Sequence, residues 1–268
     1  MAVRTTDKTS KGYESGKVLD SYSLKFLSTQ RTGGSPQSSS GQDLSQYLVL
    51  YLSTLDSNSY QSGDGSTWTD LSGEGNNGSI SGATYFGGNT PPDFDFDGSN
   101  DRVTFASGQD VGGEITISFW VRPTLNYSIN TFISTKGSAS ASGYAFYANS
   151  WNTTNRKLQF EVANGSSGVS VASADDVVVD DQWQNFVVTC VRSTGATVLY
   201  KNGSSITTDT LSVTDWGNTG TFEIGKFPPV SAYWYHGKMA LAQVYTKALT
   251  ATEVSNHFNE FKSEFGLT

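Results

Sequence analysis

Four aspartates fall within nine residues, in Asp93-Phe94-Asp95-Phe96-Asp97-Gly98-Ser99-Asn100-Asp101. Oxygen ligands at this density suit a hard cation such as calcium. The run matches the opening of an EF-hand loop at its first, third, fifth, sixth and ninth places. The twelfth place holds Thr104 instead of a bidentate glutamate, and no helical pattern precedes the run, so an EF-hand is excluded. The phenylalanines at 94 and 96 read as strand alternation, which sets Asp93, Asp95 and Asp97 on the opposite, solvent-facing side. Carboxylates sharing one strand face repel each other unless water or a cation intervenes. The alternative to a cation is an Asp-rich hairpin turn, Asp97-Gly98-Ser99-Asn100, that caps itself.

Other chemistries find little support. Glycoside hydrolysis needs paired carboxylates converging on one bond. Beyond residue 46 the glutamates stand singly at 74, 114, 161, 223, 253, 260 and 264, without a Glu-x-Asp-x-Glu string. There is no Gly-x-Ser-x-Gly elbow and no glycine-rich phosphate loop ending in Gly-Lys-Ser/Thr. Cys190, the one cysteine, lies in the apolar run Phe186–Val191 and reads as a buried strand residue, so a disulfide within the chain is excluded. The two histidines, His236 and His257, lack zinc-ligand spacing. The expectation is a protein without enzymatic activity. Sugar recognition is open instead, because exposed aromatic faces stack on sugar C–H groups. Trp151, Trp216, Trp234 and Tyr127 lie in or near predicted loops and are the candidates; the competing reading has them covering loop bases. Asn-x-Ser/Thr triplets at 77, 126, 152, 164 and 202 fit chance in a Ser/Thr/Asn-rich chain.

The elements that must position these residues are strands. Tyr47–Leu52 is a continuous apolar run, and alternation marks Val103/Phe105 and Ile115/Ile117/Phe119/Val121 as inward-facing, with Trp120 joining them if both faces of its sheet are covered. Tyr144–Tyr147 and Leu158–Val162 follow. Asn202-Gly203 suits a two-residue type I′ hairpin. One helix is predicted near the end. Thr250 and Glu253 form a capping box, Val254, Phe258, Phe261 and Phe265 fall on one stripe, and Gly266 closes it. The fold class is all-β: an antiparallel sandwich of jelly-roll type over 47–249, a short C-terminal helix over 250–268, and an extended N-terminal arm over 1–46.

Charge divides the chain the same way. Of 268 residues carrying net charge −8, residues 1–31 hold six Lys/Arg against three Asp/Glu, and the remainder eleven against twenty-two. The acidic body excludes a general nucleic-acid partner, and no apolar run approaches membrane-spanning length. The N-terminus lacks the apolar core of an export signal, which predicts a protein made without one. Between Ser28 and Asp43 there is no large apolar residue, so this stretch cannot offset its own ordering entropy. Tyr22, Leu24 and Phe26 alternate and are the expected anchors, held by a neighbouring subunit as an added strand; the alternative is an arm folded back on its own sandwich.

A series of short motifs then carries a family resemblance: Gln182-Trp183, Leu199-Tyr200-Lys201-Asn202-Gly203, Ile224-Gly225, His236-Gly237-Lys238-Met239-Ala240, Tyr245, Ala248-Leu249-Thr250 and Glu253. Their order resembles the laminin-G-like, concanavalin A-type jelly-roll lectins over Tyr47 to Asn256. The string Trp68-Thr69-Asp70-Leu71-Ser72-Gly73-Glu74-Gly75-Asn76-Asn77-Gly78 is similar to copies in bacteriophage virion proteins and bacterial surface proteins. The resemblance implies core positions for Trp120 and Trp183. It also implies a calcium site at Asn100 and Asp101, beside Asp97, as in calcium-dependent relatives. A virion subunit (capsid decoration, head fibre or tail appendage) is the role implied, with other virion proteins, further copies of itself and glycans as partners. A free-standing lectin is the rival.

Overall fold

The structure is a computed structural model that describes residues 43–106, 112–125, 128–138, 140–217, 222–227 and 233–268. Tyr22, Leu24 and Phe26 of the expected arm, and Tyr127, lie outside the described residues. Two antiparallel sheets form a sandwich. The first runs β14 (Ser204–Thr210), β13 (Ala196–Lys201), β12 (Gln184–Val191), β7 (Glu114–Pro123), β16 (His236–Tyr245), β5 (Asp93–Asp97) and β4 (Thr84–Phe86). β1 (Leu48–Ser53) also pairs with β16, taking its far half from Leu241 to Tyr245, while β5 takes the near half from His236 to Met239. The second sheet runs β11 (Gly168–Ala172), β10 (Leu158–Ala163), β9 (Gly143–Ala148), β8 (Asn130–Ser134), β15 (Glu223–Ile224), β6 (Arg102–Phe105), β3 (Gly78–Ser81) and β2 (Thr67–Trp68).

The alternating residues read from the sequence meet between the sheets. Phe94, Phe96, Val103, Phe105, Ile115, Ile117, Phe119 and Val121 all belong to one buried core, joined by Phe132, Phe146, Phe160, Phe186 and Cys190. Cys190 is a free, buried thiol whose pKa burial pushes up. The Trp68 string proves to be a self-capping loop. Both oxygens of the buried Asp70 carboxylate are engaged: Oδ1 accepts from Tyr51 N and Ser72 N at 2.9 Å, and Oδ2 accepts from Asn76 N at 2.9 Å and Ser72 Oγ at 2.6 Å. Asn76 Nδ2 donates to Val49 O at 2.7 Å. The motif therefore fastens a loop to β1, and Trp68 above it is fully buried against Phe94.

Trp120 faces away from that core. On β7 it points to the outer side of the first sheet, where water would meet a large apolar ring unless something covered it. Helix α1 (Ala251–Phe261) and the tight turn Lys262–Phe265 supply the cover. Phe265 stacks on Trp120 with ring centroids 4.0 Å apart and planes 9° from parallel, and Phe258 stacks at 5.5 Å. The helix begins at the expected capping box, with Thr250 N donating to Glu253 Oε2 at 2.7 Å and Glu253 N to Thr250 Oγ1 at 3.3 Å. It ends at Gly266 in the left-handed region. Underneath, Asn202 and Gly203 both take positive φ in the β13–β14 turn, as a type I′ turn requires. A Cβ on Gly203 would come within 2.9 Å of Phe258, so this glycine serves turn and helix together. Among the described residues no helix is long and apolar enough to cross a membrane.

His257 is a buried residue of the helix, its Nε2 hydrogen-bonded to Gln243 Oε1, with Tyr245 and Phe261 as ring neighbours. Burial lowers its pKa from 6.5 to about 4. Between those values the unfolded chain binds a proton that the folded chain refuses, so stability is intact above pH 6.5 and falls on acidification toward pH 4. The full contribution is on the order of 3 kcal/mol. Urea unfolding from pH 7 to pH 4 is expected to show this loss in the native chain and a shallower fall in His257→Gln; parallel curves for the two would defeat the assignment.

Candidate ligand-binding groove

On the same outer face, beside the helix, lies a groove of about 320 Å³ lined by Phe86, Asn89, Thr90, Asp93, Arg122, Trp183 and Lys238. Its residues come from four places in the chain. The β4–β5 connection brings Phe86, Asn89 and Thr90 up to Asp93. β16 lies against β5 with Lys238 opposite Asp95, and against β7 with Lys238 opposite Arg122. Trp183 stands immediately before β12, whose first residue pairs with Val121. Gly237 allows β16 to pass this point: it has φ +132, and a Cβ there would stand 2.4 Å from Arg122 O.

The floor is an ion pair. Lys238 Nζ donates to Asp93 Oδ1 at 2.9 Å and lies 4.8 Å from the centre of the Phe86 ring. Asn89 Nδ2 donates to Asp93 Oδ2 at 2.7 Å. Asp93 was expected to face solvent with its neighbours; instead it is 2% exposed, because Lys238 supplies the cation that the carboxylate row demanded. The walls are aromatic. Phe86 is 42% exposed. Trp183, placed in the core by family position, is only half-buried: its ring meets the edge of Phe265 at 5.1 Å and borders the groove. A partly exposed ring pair around fixed polar groups is what a small polar, ring-shaped ligand requires.

The other expected sites fare differently. In the Asp97–Asp101 turn, Asp97 N donates to Asp101 Oδ2 at 2.8 Å, and Asp97 Oδ1 accepts from Ser99 N at 2.8 Å and Asn100 N at 3.4 Å. Burial raises the Asp101 pKa, partly offset by the Asp97 bond, and the charges of Asp97 and Asp95 add to the rise. These oxygens serve the turn's own backbone. A calcium cage takes about six to eight oxygens, and among the described residues no group of three or more His, Cys, Asp and Glu gathers to hold a metal. Asp97, Asn100 and Asp101 thus form a self-capped turn.

Of the aromatic candidates, Trp151 is 71% exposed. Its loop is held by Asn155, which accepts from Ser150 N at 2.9 Å and donates to Ser150 Oγ at 2.7 Å. Trp216 and Trp234 are corrections, both buried. Trp216 closes one end of the core against Tyr144 and Phe160, with the Arg192 guanidinium over its ring. Trp234 pairs with Lys226 and lies under its ammonium. Neither ring offers a free face to a sugar. The groove itself escaped the sequence reading, although one signal pointed to it: a row of aspartates needing a cation, and a lysine flanked by Gly237 and Met239 in a late strand.

Removing Lys238 alone leaves a buried carboxylate without its counter-ion. Lys238→Met is expected to cost roughly 3 kcal/mol, and the double substitution Lys238→Met/Asp93→Asn to recover most of it. Chemical denaturation of the four species checks this; strictly additive losses would show that the pair is not coupled.

Comparison with known proteins follows from this architecture. Residues 97–255 match the family described as the concanavalin A-like lectin/glucanases superfamily. Solved structures of the same fold include the binding domain of Paraclostridial Mosquitocidal Protein 1, with TM-score 0.64 at 16% identity, covering 84% of this chain and 56% of that one. The binding domain of botulinum neurotoxin serotype D/C VPI 5993 superposes with TM-score 0.59 at 19% identity, covering 81% and 52%. The serotype G binding domain does so with TM-score 0.59 at 19% identity, covering 81% and 51%. The chain thus spans little more than half the length of these structures. No curated protein matches it.

Proposed function

The chain belongs to the concanavalin A-like lectin/glucanases superfamily, and from that premise we propose that it is a non-catalytic glycan-binding domain displayed on a bacteriophage virion. The observation that carries the binding role is the groove between Phe86 and Trp183: two partly exposed rings over a fixed Lys238–Asp93 pair. Sugar rings stack on such faces while hydroxyls bond to fixed polar groups. Trp151 adds a second exposed ring on a braced loop. A hydrolase would need a second carboxylate facing the first; Asp93 is the one carboxylate lining this groove among the described residues, and Lys238 and Asn89 occupy both its oxygens. The similar structures are binding domains, which supports recognition over catalysis.

The virion setting rests on sequence. The Trp68 loop resembles copies in phage structural proteins, and the arm is basic on an acidic body. Basic residues on an extended segment suit docking on acidic neighbours, including further copies of this chain.

A glycan array probed with the purified protein, with and without calcium, is expected to show saccharide binding that Phe86→Ala and Trp183→Ala each lower about tenfold, the loss of one stacked ring. No binding to any saccharide would sink the lectin role. Deleting residues 1–46 is expected to leave a folded sandwich that no longer enters particles; undiminished incorporation would overturn the arm's docking role, and absence of the full chain from particles would overturn the virion role and leave a free-standing lectin.

A further inference from the structure

Resting on the glycan reading, the charge arrangement of the groove points to a narrower ligand class. We infer that it takes a saccharide unit bearing a carboxylate, the ring held between Phe86 and Trp183 and the acid group by Arg122 and Lys238.

The argument is one of donors against acceptors. Asp93 is the acidic group of the groove, but it is buried, with Lys238 on one oxygen and Asn89 on the other. It has little to offer a sugar hydroxyl. The Lys238 ammonium has about three protons to donate; Asp93 takes one, and a quarter of the side chain stays exposed. Arg122 is 39% exposed. Its Nε is buried and finds no hydrogen-bond partner among the described residues. The nearest carboxylate, Asp181 Oδ1, stands 3.5 Å away on a side chain 71% exposed. Exposed pairs of that kind contribute about 0–1 kcal/mol, so an incoming anion can replace Asp181 at little cost. Two cations thus face the opening while their counter-charge lies beneath or beside them. A planar carboxylate matches the guanidinium fork in two parallel bonds.

The surroundings limit the anion. The chain carries net charge −8, and Asp95 and Asp97 continue the acidic row along β5. A long polyanion would run over these like charges and be repelled. One carboxylate placed a ring's width from the aromatic walls meets the local cations without crossing that row.

The test uses the full chain and matched ligand pairs in calorimetric titrations: methyl galacturonoside against methyl galactoside, and sialyllactose against lactose, so that each acidic member carries a single carboxylate. The acid-bearing member is expected to bind about tenfold more tightly, an advantage that shrinks as salt rises. The two pairs separate a uronate source from a sialate source. Arg122→Gln, at a partly exposed position, is expected to reduce the acidic ligand's affinity more than the neutral one's, and Arg122→Lys to restore part of it. Equal affinity for acidic and neutral partners overturns this inference while the lectin reading stands. An acidic preference unchanged in Arg122→Gln overturns it too. Binding to no saccharide removes both.

Discussion

Trp120 is the residue around which the outer face is organised. A sandwich strand normally offers one face to the core and one to water, yet β7 sends a tryptophan to the watery side and leaves it with no exposed surface. Burying a ring of this size contributes roughly 2–3 kcal/mol or more, but only if a cover arrives. The C-terminal helix is that cover, and its start, end and position all follow from the requirement. The capping box sets where the helix begins, Gly203 lets it approach, and the turn after Phe261 swings Phe265 flat onto the indole. The cover is narrower than the sheet. Among the described residues the face beyond it stays open, and that strip is the groove.

Polar residues on the strip follow the same economy of placement. Three aspartates on one strand face would repel, so each is disposed of separately. Asp93 is buried on Lys238, Asp95 lies opposite that lysine, and Asp97 turns its oxygens to its own hairpin. Asp70 repeats the device in the Trp68 loop, where four donors gather on one carboxylate. Much of the acidic side-chain chemistry that looks like metal binding in the sequence is backbone capping in the fold. The reason is general: a carboxylate is the strongest acceptor available to a loop whose N–H groups have no strand to bond with.

Local patterns were legible and long-range company was not. Strand alternation at Phe94/Phe96 and Ile115–Val121, the I′ turn at Asn202-Gly203 and the capping box at Thr250/Glu253 depend on neighbours within a few positions, and the sequence displays those directly. Trp216 and Trp234 were misplaced because loop residues in a sandwich close its open ends, and a large ring does so better than a small one. Trp183 was assigned to the core because family position cannot say how far a neighbouring helix reaches. The groove unites Phe86, Asp93, Arg122, Trp183 and Lys238 from four distant stretches of the chain, and the register of β16 between β5 and β7 brings them together.

Phe265 touches two tryptophans at once, lying flat on Trp120 and edge-on to Trp183. One of these partners anchors the terminus and the other borders the groove. If the groove takes a sugar as proposed, selection for a new ligand and selection for a sturdier fold would compete over a single benzyl ring, so lineages of this domain should change their ligand more freely on the Phe86 side.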